Sequence, residues 1–223
     1  GAFAGKLAGV KQIYGGIRSA FLENHKVLSE RFVHNHVSSG TIFNCYSGAV
    51  SIGRRGLNSK KSYVIPNCFP NISDVIIRND KDIKHIVTVG RFVPDKDYRT
   101  AIKAISILKK KRIDFIFDAI GYGIEEENIR IWIKEYDVED LVNLHIRPDN
   151  VQEIIREAAI YLSTSLFEGT SNSIMEALNW SLPVVATNVG DNNHLVIDGV
   201  NGMLHPIGDA EGIAASLDKL LDS

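Results

Sequence analysis

Cysteine is scarce in this sequence, because Cys45 and Cys68 are the only two among 223 residues. Two thiols so far apart fit no paired metal-ligand spacing, and they are too few for the dense disulfide framework of a small secreted protein. The cysteine content therefore favours a reducing environment, and we expect a cytoplasmic protein.

A large net charge of either sign is also missing. The 25 Lys and Arg residues oppose 27 Asp and Glu residues, which leaves a formal charge of −2. No global field then favours nucleic acid or an anionic membrane. The densest basic run, residues 109–112, closes a helical pattern and is explained better by a solvated helix face than by a nucleic-acid contact. We expect no nucleic-acid partner.

Long apolar runs are absent as well, since no stretch approaches the roughly 20 residues that a membrane-spanning helix requires. The start at Gly1 has neither an initiator Met nor the layout of a signal peptide, and it reads as a point inside a longer chain. Peripheral association with the cytoplasmic membrane, through residues upstream of this chain, is left open.

What the sequence does contain is a regular alternation of short β-branched runs with helical patterns. This alternation is typical of βαβ units and a parallel sheet. From residue 83 onward the expected strands are His85 to Arg91, Asp114 to Ile120, Val142 to Ile146, Ala159 to Ser163, Pro183 to Asn188, and a short one near Met203. After the first strand, Tyr98, Ile102, Ile105 and Leu108 recur at helical spacing, which predicts a helix packed on the sheet.

The first third of the chain shows the same rhythm more weakly. The expected elements there are strands near Gln12 to Tyr14, Thr41 to Asn44 and Ser62 to Ile65, and a helix from about Lys26 to Val37. We interpret residues 1–73 as the C-terminal part of an N-terminal, acceptor-side Rossmann-like domain, because a stretch rich in Pro and Asn closes it. A linker at 74–82 and a complete Rossmann-like domain at 83–223 follow. The predicted fold class is α/β with parallel sheets.

The first candidate site is Gly90, Arg91 and Lys96. Arg91 comes directly off a strand end, where open α/β sheets bind ligands, and Lys96 lies in the loop before the next helix. A guanidinium and an ammonium beside a helix N-terminus suit a diphosphate. Taken alone, a surface Arg and Lys flanking a turn explain these residues equally well.

The second candidate is the turn from Gly121 to Gly123, which follows a strand and opens a helix. It matches the dinucleotide fingerprint only in part, because Glu126 stands where the third glycine belongs and the turn follows the second strand rather than the first. The glycines allow close approach of a nucleobase, but a plain strand-to-helix turn is the better reading on its own. A nicotinamide dehydrogenase is accordingly the least favoured function.

The third candidate surrounds a helix start, for which Thr170 or Ser171 is a suitable N-cap. Carboxylates accept hydrogen bonds from vicinal hydroxyls, so Glu176 is a candidate for a ribose and Glu168 for a donor sugar. The backbone amides at the helix start are candidates for phosphate; they belong to Gly169, Thr170, Ser171, Asn172 and Ser173. The alternative is a helix with one capping-turn Glu and one solvated Glu.

Together these segments resemble the GT-B retaining glycosyltransferases called family 4, over residues 83–223. The resemblance lies in the Gly-Arg-x4-Lys element from Gly90 to Lys96, the Glu-x7-Glu element from Glu168 to Glu176, and the run from Pro183 to Gly190 that follows. It implies two Rossmann-like domains, the first one truncated here, and transfer of a sugar from a nucleotide sugar with retention of anomeric configuration.

The resemblance also assigns roles. Arg91 and Lys96 bind the diphosphate, Glu176 the ribose, Glu168 the transferred sugar, and Arg147 or its neighbours the base, with Glu168, Arg91 and Lys96 as the catalytic set. A UDP-sugar is the expected donor, with no cofactor and no metal ion. The acceptor is a sugar or lipid-linked sugar in polysaccharide or glycoconjugate synthesis.

The chain departs from the family pattern in three places. After Gly190 it reads Asp-Asn-Asn-His, from Asp191 to His194, instead of a second Gly and a Glu. Arg18 is the substitute for a histidine that many members place near the donor. The first half of the N-terminal domain has no counterpart, so we expect donor binding with little turnover. The alternatives are a nucleotide-sugar-binding half-enzyme or sensor module, and a GT-B nucleotide-sugar epimerase.

Overall fold

The computed structural model describes residues 1–18, 24–68 and 84–222. The chain forms two compact units, one made of Gly1–Cys68 with Phe167–Ser171, and the other containing residues 84–166 and 172–222. The predicted linker at 74–82 and the boundaries beside it at 73 and 83 lie outside the described residues, so the division of the chain into domains stays a prediction.

The first unit contains a three-stranded parallel sheet in the order β1-β2-β3. Its strands are β1 (Tyr14–Ile17), β2 (Gly40–Phe43) and β3 (Ser62–Val64), and its helices are α1 (Ala2–Leu7), α2 (Asn24–Phe32) and α3 (Tyr46–Gly53). A π-helical turn, Val33–Val37, continues α2. The core of this unit is small and consists of Ile17, Phe43, Ile52 and Leu57.

Two elements of the first unit differ from their predicted positions. The strand expected near Gln12 to Tyr14 occupies Tyr14–Ile17, because parallel pairing with β2 begins at Tyr14. The sequence pattern misses this shift because Gly15 and Gly16 offer no side chains to the sheet. The helix expected to run to Val37 ends as an α-helix at Phe32, and the π-helical turn covers the remainder.

The second unit contains a six-stranded parallel sheet in the order β6-β5-β4-β7-β8-β9. The strands are β4 (Lys84–Arg91), β5 (Phe115–Tyr122), β6 (Val142–Ile146), β7 (Ile160–Ser163), β8 (Val184–Thr187) and β9 (Gly202–His205). This is the strand order of a doubly wound Rossmann sheet, in which the direction of winding reverses between β4 and β7. The predicted α/β class with parallel sheets is confirmed.

Helices cover both faces of this sheet. They are α4 (Tyr98–Lys109), α5 (Glu126–Glu135), α6 (Val151–Glu157), α7 (Asn172–Asn179), α8 (Asn192–Leu195) and α9 (Ala210–Leu221). One core lies between the sheet and α4, α5 and α9, and the other between the sheet and α6 and α7. Tyr98, Ile102, Ile105 and Leu108 are all buried in the first of these cores, as their spacing predicts. Within the described ranges, none of the helices is long and apolar enough to cross a membrane.

The basic run at 109–112 takes part in ion pairs at the surface. Lys109 Nζ lies 2.8 Å from Asp140 Oδ1, and Lys111 Nζ lies 3.0 Å from Asp218 Oδ2 on α9. Exposed pairs of this kind each contribute at most about 1 kcal/mol. They give these cations a local role in joining α4 to its neighbours.

A buried carboxylate joins β4, β5 and β6. Asp118 is 2% exposed, and its oxygens form hydrogen bonds with His85 Nδ1 at 2.6 Å, His145 Nε2 at 2.7 Å and Asn143 Nδ2 at 3.0 Å. Burial by itself raises the pKa of Asp118, but the hydrogen bonds from these three side chains outweigh it and hold the pKa below its ordinary value of 3.8.

This network predicts that Asp118→Asn lowers the free energy of unfolding at pH 7 by about 1 to 3 kcal/mol, because charge-assisted hydrogen bonds to a buried group are lost. Since the pKa of Asp118 is lowered in the folded state, its stabilisation is present above 3.8 and is lost as the pH falls through the folded-state value. Urea unfolding at pH 7 and at about pH 3 measures both effects.

The matched control is Asp149→Asn, since Asp149 is exposed in the turn after β6. It should change the free energy of unfolding by less than about 0.5 kcal/mol. Equal losses in the two variants would show that the hydrogen bonds to Asp118 do not stabilise the sheet.

Candidate functional site

The candidate site lies at the carboxyl edge of the six-stranded sheet. All strands of the sheet are parallel, so their carboxyl ends meet at this edge. The reversal between β4 and β7 opens a crevice there, which is where open α/β sheets bind ligands. Arg91 is the last residue of β4, and β5 ends at Tyr122, so Gly121 lies in the strand rather than in the turn predicted to follow it, and Gly123 comes directly after the strand. Two of the predicted segments therefore converge on one edge.

Arg91 and Lys96 both lie at the carboxyl end of β4. Arg91 is exposed, and its guanidinium makes no ion pair with any described residue. Lys96 ends the short 3-10 turn Pro94–Lys96, and its stem passes over Gly90: a Cβ placed on Gly90 would lie 3.6 Å from Lys96 Cε. A side chain at Gly90 would meet the lysine stem only at ordinary van der Waals distance, so the stem lies directly beside the strand end.

One of the two carboxylates adjacent to Lys96 in sequence caps the start of α4. Asp97 has φ 43° and accepts hydrogen bonds from Thr100 N at 3.3 Å and Thr100 Oγ1 at 2.6 Å. An Asp-x-Asp spacing, which is suited to a divalent cation, occurs at Asp95 and Asp97 and again at Asp80 and Asp82, outside the described residues. Asp97 is committed to the helix cap. In the part of the chain that is described, no group of three or more His, Cys, Asp or Glu is placed to hold a metal.

Gly121 and Gly123 have a steric role that needs no ligand. A Cβ on Gly121 would overlap the carbonyl oxygen of Gly90 on the paired strand, and a Cβ on Gly123 would overlap the carbonyl of Phe92. Gly123 also has φ 153°, which L side chains rarely adopt. Close packing of β5 and its turn against β4 accounts for both glycines, and their part in donor binding stays a prediction.

Arg147 stacks on an aromatic side chain that the sequence analysis missed. Its guanidinium carbon lies 4.3 Å from the ring centroid of Tyr122, and both side chains are exposed. The backbone holds the arginine in place, because Arg147 has φ 48° and its N–H donates to Gly121 O at 3.2 Å. This planar cation–aromatic pair is suited to stacking against a nucleobase. The available signal was an aromatic residue between two glycines at a strand end.

Glu176 lies in α7, whose buried face includes Ile174 and Ala177. The carboxylate is half-buried, and no hydrogen bond or ion pair joins it to another described residue. Burial raises the pKa of Glu176, with no neighbouring charge to offset the effect. A partly desolvated carboxylate without partners is more typical of a ligand site than of a structural position.

Glu168 lies in the loop Phe167–Ser171, which belongs to the first unit. Thr170 Oγ1 donates to Asn44 O at 2.9 Å, and a Cβ on Gly169 would lie 3.3 Å from Cys45 Sγ. Glu168 is half-exposed in this loop, and it belongs to a different unit from Glu176.

The helix start falls where the sequence predicted it. Helix α7 begins at Asn172, which puts Ser171 at the N-cap position, and Ser171 is 3% exposed. Asn172 is exposed and Ser173 half-exposed, so their side chains are accessible at the first turn. Phosphate binding by this turn is untested and stays a prediction.

Arg18 and the segment from Asp191 to His194 are two of the places where the sequence departs from the family pattern. Arg18 is exposed directly after β1 in the first unit, and His194 is exposed in α8. In the segment that departs from the family pattern, Asn192 is fully buried and its Nδ2 donates to Thr187 O at 2.9 Å, whereas its Oδ1 has no hydrogen-bond partner among the described residues. Asn192 therefore fixes this loop to the end of β8, which sequence reasoning did not find.

The comparisons with known proteins identify the family. The sequence model of the family described as glycosyl transferases group 1 matches residues 72–223. The match spans more than half of the chain, so the chain belongs to this family. The amylovoran biosynthesis glycosyltransferase AmsK of Erwinia amylovora is 35% identical over 143 residues, covering 60% of this chain and 35% of AmsK.

Solved structures show the same fold. A crystal structure of Anabaena HepE in complex with UDP and glucose superposes with a TM-score of 0.85 at 17% identity, covering 100% of this chain and 65% of HepE. A crystal structure of an S. aureus TarM mutant in complex with UDP and sugar ligands has a TM-score of 0.82 at 23% identity, covering 95% of this chain and 44% of TarM. These likenesses show the GT-B type of fold. The chain spans about a third of the length of its curated relative AmsK.

The unpaired carboxylate yields a stability prediction. Because the folded state raises the pKa of Glu176, the ionised carboxylate destabilises the ligand-free protein, and stability is gained as the pH falls through the raised value. Glu176→Gln should therefore leave the melting temperature at pH 7 unchanged or higher, as is common when a functional group is removed from its site. Thermal unfolding at pH 7 and pH 4.5 measures the difference, which should narrow at the lower pH.

The matched control is Glu139→Gln, in the exposed turn between α5 and β6. Glu139→Gln should give no rise in melting temperature at pH 7, and the difference in melting temperature between this variant and the wild type should be the same at pH 4.5. A clear loss of stability in Glu176→Gln would show that the carboxylate is a structural group.

Proposed function

We propose that the protein is a retaining glycosyltransferase that transfers a sugar from a nucleoside diphosphate sugar to an acceptor hydroxyl. The proposal is carried by one arrangement. The guanidinium of Arg91 and the stem of Lys96 lie at the carboxyl end of β4, in the unit that also contains the carboxylate of Glu176, and neither Arg91 nor Glu176 has a side-chain partner among the described residues. A site for an anion and a carboxylate that accepts hydrogen bonds from hydroxyls, both in one unit, are what a sugar nucleotide requires.

The charges fit the chemical step. When the bond between the anomeric carbon and the diphosphate breaks, its electron pair passes to the phosphate oxygen, and Arg91 and Lys96 stabilise the negative charge that develops there. The acceptor oxygen forms the new bond on the same face of the sugar, so that configuration is retained, and its proton leaves with the diphosphate. These cations fill the role of a divalent metal, and the proposed reaction is independent of one.

The remaining roles complete the donor site. Glu176 is proposed to accept hydrogen bonds from the ribose, Glu168 to hold the transferred sugar, and the Arg147–Tyr122 pair to stack on the base. The UDP in the HepE and TarM structures supports a UDP-sugar as donor. The name of the amylovoran biosynthesis relative supports a place in polysaccharide synthesis.

The first test concerns the two cations. Arg91→Ala and Lys96→Ala should each weaken UDP binding by about 1.5 to 3 kcal/mol, the range for hydrogen bonds to charged groups. Isothermal titration calorimetry on the 223-residue chain measures the dissociation constants, and circular dichroism checks that both variants keep the fold.

Lys134→Ala is the matched control, since Lys134 is an exposed cation in the last turn of α5. Its removal should leave UDP affinity unchanged. Affinity equal to wild type in both Arg91→Ala and Lys96→Ala would remove the diphosphate assignment.

The second test concerns the ribose. Glu176→Gln keeps the size of the side chain but loses the charge-assisted hydrogen bonds to ribose hydroxyls, so UDP affinity should fall by roughly tenfold. The affinity for 2′-deoxy-UDP should fall less, because one of the bonds is already missing in that ligand. Equal losses for the two ligands would place the contact of Glu176 elsewhere.

A further inference from the structure

The loop that carries Lys96 is held from the neighbouring strand. Thr164 follows β7 directly and is 4% exposed, and its Oγ1 donates a shared hydrogen bond to Lys96 O at 3.0 Å and Asp97 O at 2.9 Å. Two residues later, Leu166 N donates to Asp95 O at 2.7 Å. The segment after β7 thus satisfies successive carbonyls on both sides of the lysine.

Thr164 is itself part of a rigid edge. The next residue, Ser165, is 1% exposed, and its carbonyl accepts from Thr187 Oγ1 at 2.6 Å; Thr187 O in turn accepts from Asn192 Nδ2 at 2.9 Å. These buried bonds connect the carboxyl ends of β7 and β8. A side chain anchored in this way transmits little movement to the loop that it holds.

One residue of this loop has a strained backbone conformation. Asp97 adopts φ 43°, a left-handed conformation that costs a non-glycine residue free energy and persists only where its surroundings impose it. Lys96 precedes this residue, and its stem lies beside Gly90 at the strand end. A relaxed loop would let the ammonium leave that position.

We propose that Thr164 is a positioning residue for Lys96, and that its hydroxyl sets the ammonium in place for the diphosphate of the donor. This inference rests on the proposed function, since it deepens the same site. Thr164 touches the backbone of Lys96 and acts on the ligand only through the lysine.

The experiment is a double-mutant cycle read out by UDP affinity. Thr164→Val keeps the shape of the side chain and removes the hydrogen bond, and should weaken UDP binding about threefold to tenfold. Thr164→Ser keeps the hydroxyl and should restore most of the affinity. In the Lys96→Ala background, Thr164→Val should produce no further loss, because the group that it positions is gone.

Thermal stability of the same variants separates positioning from a merely structural role. Any loss of thermal stability caused by Thr164→Val should be equal in the wild-type and Lys96→Ala backgrounds. Its effect on UDP affinity should be present in the wild-type background and absent in Lys96→Ala. Thr88→Val is the matched control, since Thr88 is a buried threonine within β4 and not part of the loop, and it should not alter UDP affinity.

The outcomes distinguish the two proposals. A Lys96→Ala variant with weakened UDP binding, together with a Thr164→Val variant of wild-type affinity, overturns the positioning role and leaves the donor site standing. Equal effects of Thr164→Val in both backgrounds overturn it as well. A chain that does not bind UDP at all, or binds it equally well without Lys96, overturns the donor site and the positioning role together.

Discussion

The structure depends above all on the order of the strands in its larger parallel sheet. Because β4 and β7 are neighbours while the chain winds outward from each of them in opposite directions, the loops after these strands separate and leave a crevice at the carboxyl edge. Helices bury both faces of the sheet, so this edge is the place where backbone and side-chain polar groups remain available to a ligand. Arg91, the loop to Lys96 and the start of α7 all take their positions from that constraint.

Within this edge, satisfied and unsatisfied polar groups have different roles. Three buried side chains donate hydrogen bonds to backbone carbonyls at this edge and so restrict its movement; they belong to Thr164, Thr187 and Asn192. The side chains of Arg91 and Glu176 make no hydrogen bond or ion pair with the described residues, although Glu176 is partly desolvated. A protein retains such uncompensated groups at a cost in stability when a ligand supplies the missing partners. The pattern therefore separates the groups that build the site from the groups that we propose to bind the donor.

Much of this arrangement is predictable from the sequence, and the limits have physical causes. The strands of the larger sheet are covered on both faces and read as continuous apolar runs, so their positions were found within a few residues. The position of β1 was missed because its glycines carry no hydrophobic pattern. The sequence predicts Arg91, Lys96 and Glu176 as site residues because its pattern shows where strands end and helices begin. Three other features depend on which strands become neighbours, and the periodicity of the sequence does not contain that information. They are the contact of Tyr122 with Arg147, the hydrogen bonds from Thr164 to the lysine loop, and the burial of Asn192.

The central claim is that the carboxyl edge of the larger sheet binds a nucleoside diphosphate. Titration of the isotopically labelled chain with UDP, followed by backbone amide chemical shifts, tests it most directly. The account predicts that the largest changes lie at Gly90 to Tyr98, at Ser163 to Ser165 and at Asn172 to Glu176, and that the amino ends of the strands, such as Lys84 and Phe115, do not change. Changes confined to those amino ends, or no change at millimolar UDP, would contradict it.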